Sequence, residues 1–330
     1  MELKQLGEFG LIDLLKENTI VDPASVVVGI GDDAAVLLPT PRQLQLLTTD
    51  MLVETVHFDL NTTSPWQLGY KAIAVNLSDI AAMGGSPKHV VISLGIPKEL
   101  PVDFVLNLYE GMKEICRQFS VNIVGGDTVA SPHGVVINVA VTGEVDPTHL
   151  QRRSGAKPGD LLVVTGVLGN SAAGLDLLAW GNWEEYEFAW PLVTSHLTPQ
   201  PQVKAGQIIA GYATSMNDIS DGLASEANEI ALASQVGIRL FAQHIPVTTA
   251  LQTAGDFLGK SALDYALFGG EDYQLLFTVE PEQYKILEIA ELGQKLTVIG
   301  EIIEGPAHVE LVQQNGKVQE LAARGYNHFG

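Results

Sequence analysis

Aspartates recur beside short apolar runs of this chain, where their carboxylates could hold a divalent cation. In the first such stretch, Val26–Leu37, two β-type apolar runs enclose the acidic turn Gly31-Asp32-Asp33. Mg²⁺ prefers carboxylate and other oxygen ligands, so this turn is a candidate cation site. Gly-Asp-Asp is also ordinary turn chemistry, and the stretch alone is equally compatible with a surface turn. The metal-site prediction therefore depends on similar aspartates elsewhere in the chain. They are Asp50, Asp79, Asp127, Asp218 and Asp221.

Residues around two of these positions could add further metal and phosphate contacts. Thr48 and Thr49 precede Asp50 and carry hydroxyl and carbonyl oxygens. Asp218 and Asp221 lie three residues apart at a predicted helix start, where unpaired backbone N–H groups bind phosphate. Helix capping or turn formation would explain any single aspartate. The joint pattern is what predicts a site for magnesium and phosphate.

The common nucleotide-binding and hydrolase motifs do not fit this sequence. A Gly-x-x-x-x-Gly-Lys-Ser/Thr segment does not occur, which excludes a Walker A loop. Gly29-x-Gly31-x-x-Ala34 matches a dinucleotide-binding fingerprint, but Asp32 and Asp33 would repel a pyrophosphate and a strand follows in place of a helix. A Gly-x-Ser-x-Gly elbow is also missing, which disfavours a Ser-His-Asp hydrolase.

Length and composition indicate a compact chain of two domains. The 330 residues suffice for two buried cores, and 46% hydrophobic with 17% charged residues is typical of a globular protein. The net charge of −21 disfavours nucleic acid or an anionic membrane as a partner, because both are negatively charged. Bound cations would neutralise part of this acidity and allow an anionic substrate to approach.

Cysteine content and the N-terminal sequence predict a cytoplasmic location. Cys116 is the single cysteine, which excludes an intramolecular disulfide and favours a reducing compartment. Its helical surroundings predict a buried core thiol. No run reaches the roughly 18 apolar residues of a membrane span. The start, Met1–Gln5, lacks the basic and apolar regions of a signal peptide.

Hydrophobic periodicity predicts alternating strands and helices in both halves of the chain, which favours an α/β (α+β) fold. A polar, basic stretch at residues 151–160 separates a domain of residues 1–150 from one of residues 151–330. Predicted helices are Leu6–Leu15, Trp66–Met83, Val102–Phe119, Ala172–Trp180 and a helix after Gly222 that continues through Ile230. Predicted strands are Gln43–Thr49, Val90–Ile96, Val121–Val124, Val135–Glu144, Leu161–Thr165 and Gln274–Thr278.

The predicted elements give two of these aspartates an expected position. Asp50 is expected at the end of a strand, and Asp127 beside a glycine turn that follows a strand ending at Val124. The aromatic residues between Trp180 and Trp190 are expected to form a packing cluster, because aromatic side chains bury large areas.

Short acidic and glycine-rich segments follow one another from the N-terminus to Phe329. They are Leu6-Gly7-Glu8-Phe9, Gly31-Asp32-Asp33-Ala34, Thr48-Thr49-Asp50 with His57-Phe58, Asn76-Leu77-Ser78-Asp79, Gly125-Gly126-Asp127, Asp218-Ile219-Ser220-Asp221-Gly222 and Phe268-Gly269-Gly270-Glu271-Asp272-Tyr273. In this order they resemble the motifs of the thiamine-monophosphate kinases, a family of the aminoimidazole-ribonucleotide synthetase-like superfamily. The Phe268–Tyr273 segment and the two chain ends narrow the resemblance to this family.

The resemblance implies a kinase that transfers the γ-phosphoryl group of ATP to thiamine monophosphate, giving thiamine diphosphate and ADP. It also implies a two-domain fold of mixed sheets and helices, several Mg²⁺ ions, and a homodimer formed by N-terminal domains with ATP near that interface. The implied metal ligands are Asp33, Thr48, Thr49, Asp50, Asp79, Asp127, Asp218 and Asp221. The implied ATP contacts are Tyr109, Gly126, Asp127, Arg153 and Ser220, and the implied thiamine contacts are His57, Glu271 and Tyr326.

General chemistry agrees with these implied roles. Phosphoryl transfer depends on alignment and charge neutralisation, so no residue is expected as a covalent catalyst or general base. Arg153 supplies a cation, Glu271 could pair with the thiazolium or the aminopyrimidine, and Tyr326 offers a stacking face. A structural histidine at position 57 and a purely anchoring Tyr326 remain open. Relatives often carry arginines at the positions of Ser195 and Thr198, so this chain lacks the two cations that those arginines supply.

Two further classes remain as alternatives to the kinase. One is another ATP-dependent member of the superfamily, of the selenophosphate synthetase or hydrogenase-maturation type. No cysteine precedes Cys116 and the chain ends in Gly330, so the reactive residues typical of those enzymes are not found. The other is a non-catalytic module that binds magnesium and nucleotide.

Overall fold

The chain forms two compact units in a computed structural model, which describes residues 3–31 and 33–325. The first unit contains the chain up to Ile80 together with Gly85–Pro147. The second contains Ala81–Gly84 and the chain from Thr148 onward. Within the described residues, no helix is both long and apolar enough to cross a membrane.

The first unit is a four-stranded sheet with long helices. Its strands follow the order β3-β6-β4-β5, in which β4 and β5 are parallel and the other neighbours are antiparallel. The elements are α1 (Leu3–Leu15), β1 (Val26–Val28), β2 (Val36–Leu37), β3 (Leu44–Val53), α2 (Pro65–Ala82), β4 (Ser86–Ile96), α3 (Val102–Phe119), β5 (Asn122–Ala130) and β6 (Val136–Val145), with a short 3₁₀ turn at Pro23–Ser25.

One face of this sheet is buried and the other is open. Val139 on β6 and Ile92 on β4 are buried and lie in the same row across the sheet as Asp50 on β3. Side chains alternate between the faces of a strand, so the next row, which includes Met51, points to the opposite face. Met51 is 52% exposed, which identifies this second face as the open one.

Two glycines let helices α2 and α3 pack with their backbones in contact. A Cβ atom at Gly69 would lie 1.9 Å from the carbonyl oxygen of Leu108, and one at Gly111 would lie 1.9 Å from that of Trp66. No other residue fits at either position without separating the helices. Helix α2 also carries Asp79, so this contact holds the helix that presents that carboxylate.

The second unit is a seven-stranded sheet with helices and two hydrophobic clusters. Its strand order is β13-β12-β9-β11-β7-β10-β8, and only the β12–β9 pair among these named strands is parallel. The strands are β7 (Leu161–Thr165), β8 (Ala213–Asp218), β9 (Gly237–Phe241), β10 (Leu275–Val279), β11 (Leu296–Ile303), β12 (His308–Val312) and β13 (Val318–Glu320). The helices are α4 (Asn170–Trp180), α5 (Ala189–Leu197), α6 (Val203–Ile209), α7 (Leu223–Ser234), α8 (Thr249–Leu258), α9 (Ala262–Phe268) and α10 (Pro281–Glu288), with 3₁₀ turns at Trp183–Glu185 and Ala242–His244.

The expected settings of two aspartates were wrong. Asp50 lies inside β3, which continues to Val53, and Asp127 lies inside β5. The second prediction was wrong because the Gly125-Gly126 pair is typical of a turn. Parallel pairing with β4 carries β5 through these glycines, and a Cβ at position 126 would lie 2.0 Å from the carbonyl oxygen of Ile92.

Two packing predictions agree with the structure. Cys116 is buried on α3, where burial raises the pKa of its thiol to about 12. The predicted aromatic cluster forms: the rings of Trp183 and Trp190 meet edge to face with centroids 4.8 Å apart, and Trp180 contacts Tyr186 in the same manner at 5.5 Å.

Candidate functional site

Two half-buried carboxylates approach each other in the first unit. Asp50 on β3 and Asp79 on α2 interact electrostatically, and Thr48 Oγ1 donates a hydrogen bond of 2.5 Å to Asp79 Oδ2. Burial, followed by repulsion from Asp79, raises the pKa of Asp50 to about 6. The site therefore carries a repulsive electrostatic energy that a bound cation would relieve.

The chemistry of these donors fits a magnesium ion. Asp50 and Asp79 offer carboxylate oxygens and Thr48 a hydroxyl, all hard ligands of the kind that Mg²⁺ prefers. Within either unit, no group of three acidic, histidine or cysteine side chains among the described residues is arranged to hold a metal by itself. Mg²⁺ commonly takes only one or two carboxylates and completes its shell with water and substrate phosphates, so a pair of acids is sufficient.

The remaining sheet residues of the predicted site do not join Asp50. Thr49 lies on the open face, where its hydroxyl donates to the Val139 carbonyl at 3.0 Å and accepts from Asn138 Nδ2 at 3.0 Å. Asp127 is exposed and pairs in register with Ser93, one row away from Asp50. Because adjacent rows face opposite sides of a sheet, Asp127 and Thr49 lie on the face opposite Asp50.

Other predicted residues of the first unit have varied surroundings. Tyr109 is buried within α3 and burial raises the pKa of its hydroxyl, so the structure places it in the core. His57 Nδ1 accepts a hydrogen bond of 3.0 Å from the Val53 N–H, which gives this histidine a structural contact. Asp33 is exposed in the connection between β1 and β2. Tyr326 lies outside the described residues.

The second unit brings two of the predicted motifs into direct contact. β8 ends at Asp218, which pairs with Leu275 at the start of β10. Beyond this pair, the Glu271 N–H donates to the Ser220 carbonyl at 2.6 Å and the Tyr273 N–H to the Ile219 carbonyl at 2.9 Å. Main-chain hydrogen bonds therefore hold the aspartate-rich segment against the segment that carries Glu271.

The Glu271 segment has an unusual backbone. Glu271 and Tyr273 adopt φ values of +55° and +50°, in the left-handed region that residues with a Cβ rarely occupy. Gly270 also has positive φ, and a Cβ there would lie 2.5 Å from the Ser220 carbonyl oxygen. Such strain persists only where surrounding contacts enforce it, and it concentrates at functional sites.

Buried contacts anchor this strained segment to helix α4. Asp272 accepts a hydrogen bond of 2.7 Å from the Gly169 N–H and a longer one of 3.5 Å from the Ser171 N–H, at the start of the helix. Burial raises the pKa of Asp272 to about 7, while these two N–H groups act in the opposite direction. Asp272 is therefore a structural anchor next to Glu271.

A buried glutamate that the sequence analysis missed organises the aspartate-rich segment. Glu226 in the first turn of α7 is 2% exposed. Its carboxylate accepts hydrogen bonds from the Asn217 amide, from the Asp221 N–H at 3.2 Å and from the Ser220 hydroxyl at 3.4 Å. Burial, followed by Glu229 and Asp218, raises the pKa of Glu226 to about 8.

The same network reaches the predicted ATP-binding arginine. Arg153 Nε donates to Asn217 Oδ1 at 3.2 Å and pairs with Glu229 Oε2 at 2.9 Å. The Arg153 side chain remains 56% exposed. The sequence does contain a signal for Glu226. This acid lies on the apolar face of α7 beside Leu223 and Ala227, where a charged side chain is unusual unless hydrogen bonds satisfy it.

Comparisons with known proteins agree over nearly the whole chain. Residues 31–145 match the AIR synthase related protein, N-terminal domain, and residues 157–313 match its C-terminal domain. The thiamine-monophosphate kinase of Bacillus subtilis (strain 168) is 39% identical over 98% of this chain and 100% of its own.

Solved structures give the same result. The thiamine-monophosphate kinase from Stenotrophomonas maltophilia K279a superposes with a TM-score of 0.84 at 34% identity, covering 96% of this chain and 98% of its own. AaThiL complexed with AMPPCP and TMP superposes with a TM-score of 0.79 at 38% identity, over 100% of this chain and 99% of its own. Hydrogenase maturation protein HypE in complex with ATP, at 21% identity, shares the fold alone. The chain therefore belongs to the AIR synthase related proteins and, within them, to the thiamine-monophosphate kinase family.

Proposed function

We propose that this protein transfers the γ-phosphoryl group of ATP to thiamine monophosphate, giving thiamine diphosphate and ADP. The observation that carries the proposal is the main-chain pairing of Ser220, on the predicted nucleotide side, with Glu271, on the predicted acceptor side. The relative AaThiL has been crystallised with AMPPCP and TMP, a non-hydrolysable ATP analogue and the acceptor. The pairing gives the two substrates adjacent binding segments in one unit.

The acidic residues would hold magnesium and both phosphate groups. Magnesium, when bound, neutralises phosphate charge and so lets two anions approach each other. The Asp50 and Asp79 pair supplies the ligands in the first unit, with Thr48 beside them. In the second unit, Asp218 and Asp221 flank Ser220, which we assign to ATP. We retain Asp33, Thr49 and Asp127 as further metal ligands and Gly126 and Tyr109 as further ATP contacts of this proposal.

Arg153 would stabilise the transferred phosphoryl group. Its Nε is held by Asn217 and Glu229, so the direction of the guanidinium is set before substrate arrives. More than half of the side chain is exposed, which leaves its outer nitrogens accessible to an anion. Planar guanidinium groups bind phosphate oxygens in pairs, which suits the transition state of phosphoryl transfer.

The acceptor needs binding groups and no strong base. A phosphate monoester has a second pKa of about 6, so it is mostly deprotonated at neutral pH and is already nucleophilic. Glu271 would bind the cationic or aminopyrimidine part of thiamine, with Tyr326 and His57 as further contacts. The reaction then depends on alignment of two phosphates and on their charge neutralisation.

A homodimer through the first unit and a cytoplasmic location are part of this proposal. Large apolar side chains line the open face of the sheet, which a second copy of the chain would cover. Their exposed fractions are 76% for Leu47, 52% for Met51, 40% for Val91 and 55% for Val129. The same face carries Asp127 and Thr49, so dimerisation would bring these residues into an enclosed interface.

A coupled assay of ADP release tests the proposed function. We expect rapid release only when ATP, Mg²⁺ and thiamine monophosphate are all present, and loss of release when EDTA is added. A binding module would release no ADP with any acceptor. ADP release with another acceptor and none with thiamine monophosphate would favour another ATP-dependent enzyme of the superfamily.

A further inference from the structure

A buried histidine contacts the carboxylate of Glu271. His196 lies on α5 and its side chain is 5% exposed, while that of Glu271 is 29% exposed. His196 Nδ1 lies 3.1 Å from Glu271 Oε2 and 3.1 Å from Ser171 Oγ on α4. The carboxylate therefore has one side in the protein interior and the other toward solvent.

The chemistry of these atoms fixes which one donates. A carboxylate oxygen accepts hydrogen bonds and cannot donate one, so the short contact requires a proton on His196 Nδ1. The Ser171 hydroxyl oxygen is a second acceptor for the same N–H group. Glu271 is thus bound by its side chain to His196 and by its main-chain N–H to Ser220.

We propose that His196 is a positioning residue for the acceptor: it orients the Glu271 carboxylate toward the thiamine moiety and so sets affinity for thiamine monophosphate. The inference rests on the proposed function, in which Glu271 contacts the acceptor. The hydroxyl groups of Ser195 and Thr198, close to His196 in the sequence, bond to the main chain of α5 and not to Glu271. The Ser195 hydroxyl bonds back to the Pro191 carbonyl at 2.8 Å, and the Thr198 hydroxyl to the Thr194 carbonyl at 3.0 Å.

The proposal predicts a change in KM for thiamine monophosphate and none of similar size in KM for ATP. Loss of the Nδ1–H contact would let the Glu271 side chain leave its orientation, while the main-chain bond to Ser220 remains. We therefore expect a rise of about tenfold in KM for thiamine monophosphate, equivalent to about 1.4 kcal/mol. KM for ATP should change by less than about twofold, because the Ser220 and Asp221 contacts with Glu226 are untouched.

A matched pair of variants separates the hydrogen bond from simple packing. In His196→Asn, the amide nitrogen can take the place of Nδ1 and still donate to Glu271. In His196→Gln, the longer side chain carries its amide away from that place. We expect H196N to retain KM for thiamine monophosphate within about threefold and H196Q to show the full rise. Ser195→Ala, on the same helix, is the control and should match the wild type.

A double-substitution cycle tests whether His196 acts through Glu271. In a Glu271→Ala background, H196Q should cause no further rise in KM for thiamine monophosphate. Equal effects of H196Q with and without Glu271 would overturn the proposal. So would equal rises in the two KM values, or a failure of H196Q to affect either of them.

Two measurements on the wild-type protein keep the result decisive if H196Q does not fold. The Nδ1–H nuclear magnetic resonance signal of His196, assigned by its loss in H196N, should move when thiamine monophosphate is added and not when AMPPCP is added. No movement would overturn the proposal. Calorimetric binding of thiamine monophosphate separates the two failures: binding without turnover contradicts the proposed reaction alone, and no binding contradicts both.

Discussion

Asp50 and Asp79 hold two carboxylates close together in the first unit. The Asp50 carboxyl is half-buried beside Asp79, and its charged form is disfavoured in the folded protein, where its pKa is raised from 3.8 to about 6. Its contribution to stability is therefore complete below about pH 4 and is lost as the pH rises through about 6. Above that range the two carboxylates repel each other unless a cation lies between them.

The variant Asp50→Asn should make the metal-free protein more stable at pH 8 and leave its stability unchanged at pH 4. The expected gain is about 1–2 kcal/mol, after allowance for solvent screening. Thermal unfolding in EDTA at both pH values measures it, with Asp256→Asn, at an exposed position of α8, as a control that shows no gain. Saturating Mg²⁺ should reverse the order, because the cation binds the folded wild type. A pH-independent difference between D50N and wild type would contradict this account.

Glu226 is the residue on which the geometry of the aspartate-rich segment depends. The variant Glu226→Ala removes an acceptor shared by Asn217, Ser220 and Asp221. We expect a loss of about 1–3 kcal/mol in unfolding free energy and a larger KM for ATP, measured by urea unfolding and steady-state kinetics. Glu282→Ala, an 80% exposed acid on α10, is the control and should affect neither quantity. Unchanged KM for ATP in E226A would show that the hydrogen bonds accepted by Glu226 do not serve nucleotide binding.

At the scale of elements, close packing of α2 against α3 holds the helix that carries Asp79. The variant Gly69→Ala would place a Cβ atom 1.9 Å from the Leu108 carbonyl oxygen, so the helices must separate. We expect a loss of at least about 2 kcal/mol, measured by chemical denaturation. Gly10→Ala is a suitable control, because its nearest neighbour is the movable Leu6 side chain at 3.0 Å and alanine favours a helix. Equal stability of G69A and G10A would disprove the close packing.

Helices with a clear periodicity of apolar residues were predictable from sequence. The extent of a strand that depends on pairing with a neighbouring strand was not. The apolar period of Val102–Phe119 predicted a helix that the structure shows over the same residues. Asp127 was misplaced because its neighbouring glycines signal a turn, whereas pairing with β4 keeps them in a strand. The bond from His196 to Glu271 joins two segments that only the fold brings together, so no local pattern could reveal it.

The candidate site was predictable in its residue types and less so in its geometry. The sequence motif around Ser220 and the one around Glu271 predicted that both matter, and the structure joins them by a main-chain hydrogen bond. Neighbouring strand residues point to opposite faces, but sequence did not indicate that Thr48, and not Thr49, contacts Asp79, since only the packing of α2 on the sheet decides this. The roles of these residues toward metal and substrates stay predictions.

At the scale of the whole molecule, the open sheet face predicts association of two chains. The variant Leu47→Glu places a charge on an apolar side chain that is 76% exposed in the single chain and would be buried between two copies. We expect light scattering to show dimers for wild type and monomers for L47E. Leu232→Glu, on a residue 66% exposed in the second unit, should remain dimeric. A monomeric wild type, or a dimeric L47E, would contradict this assignment.

The fate of the γ-phosphoryl group distinguishes its transfer to thiamine monophosphate from hydrolysis of ATP. When the protein is incubated with Mg²⁺, thiamine monophosphate and ATP radiolabelled at the γ-phosphorus, chromatography of the products follows the label. We predict that it appears as the terminal phosphate of thiamine diphosphate, in equal amount to the ADP formed. Label found only in inorganic phosphate, or retained in ATP, would show that the protein does not transfer the γ-phosphoryl group to thiamine monophosphate.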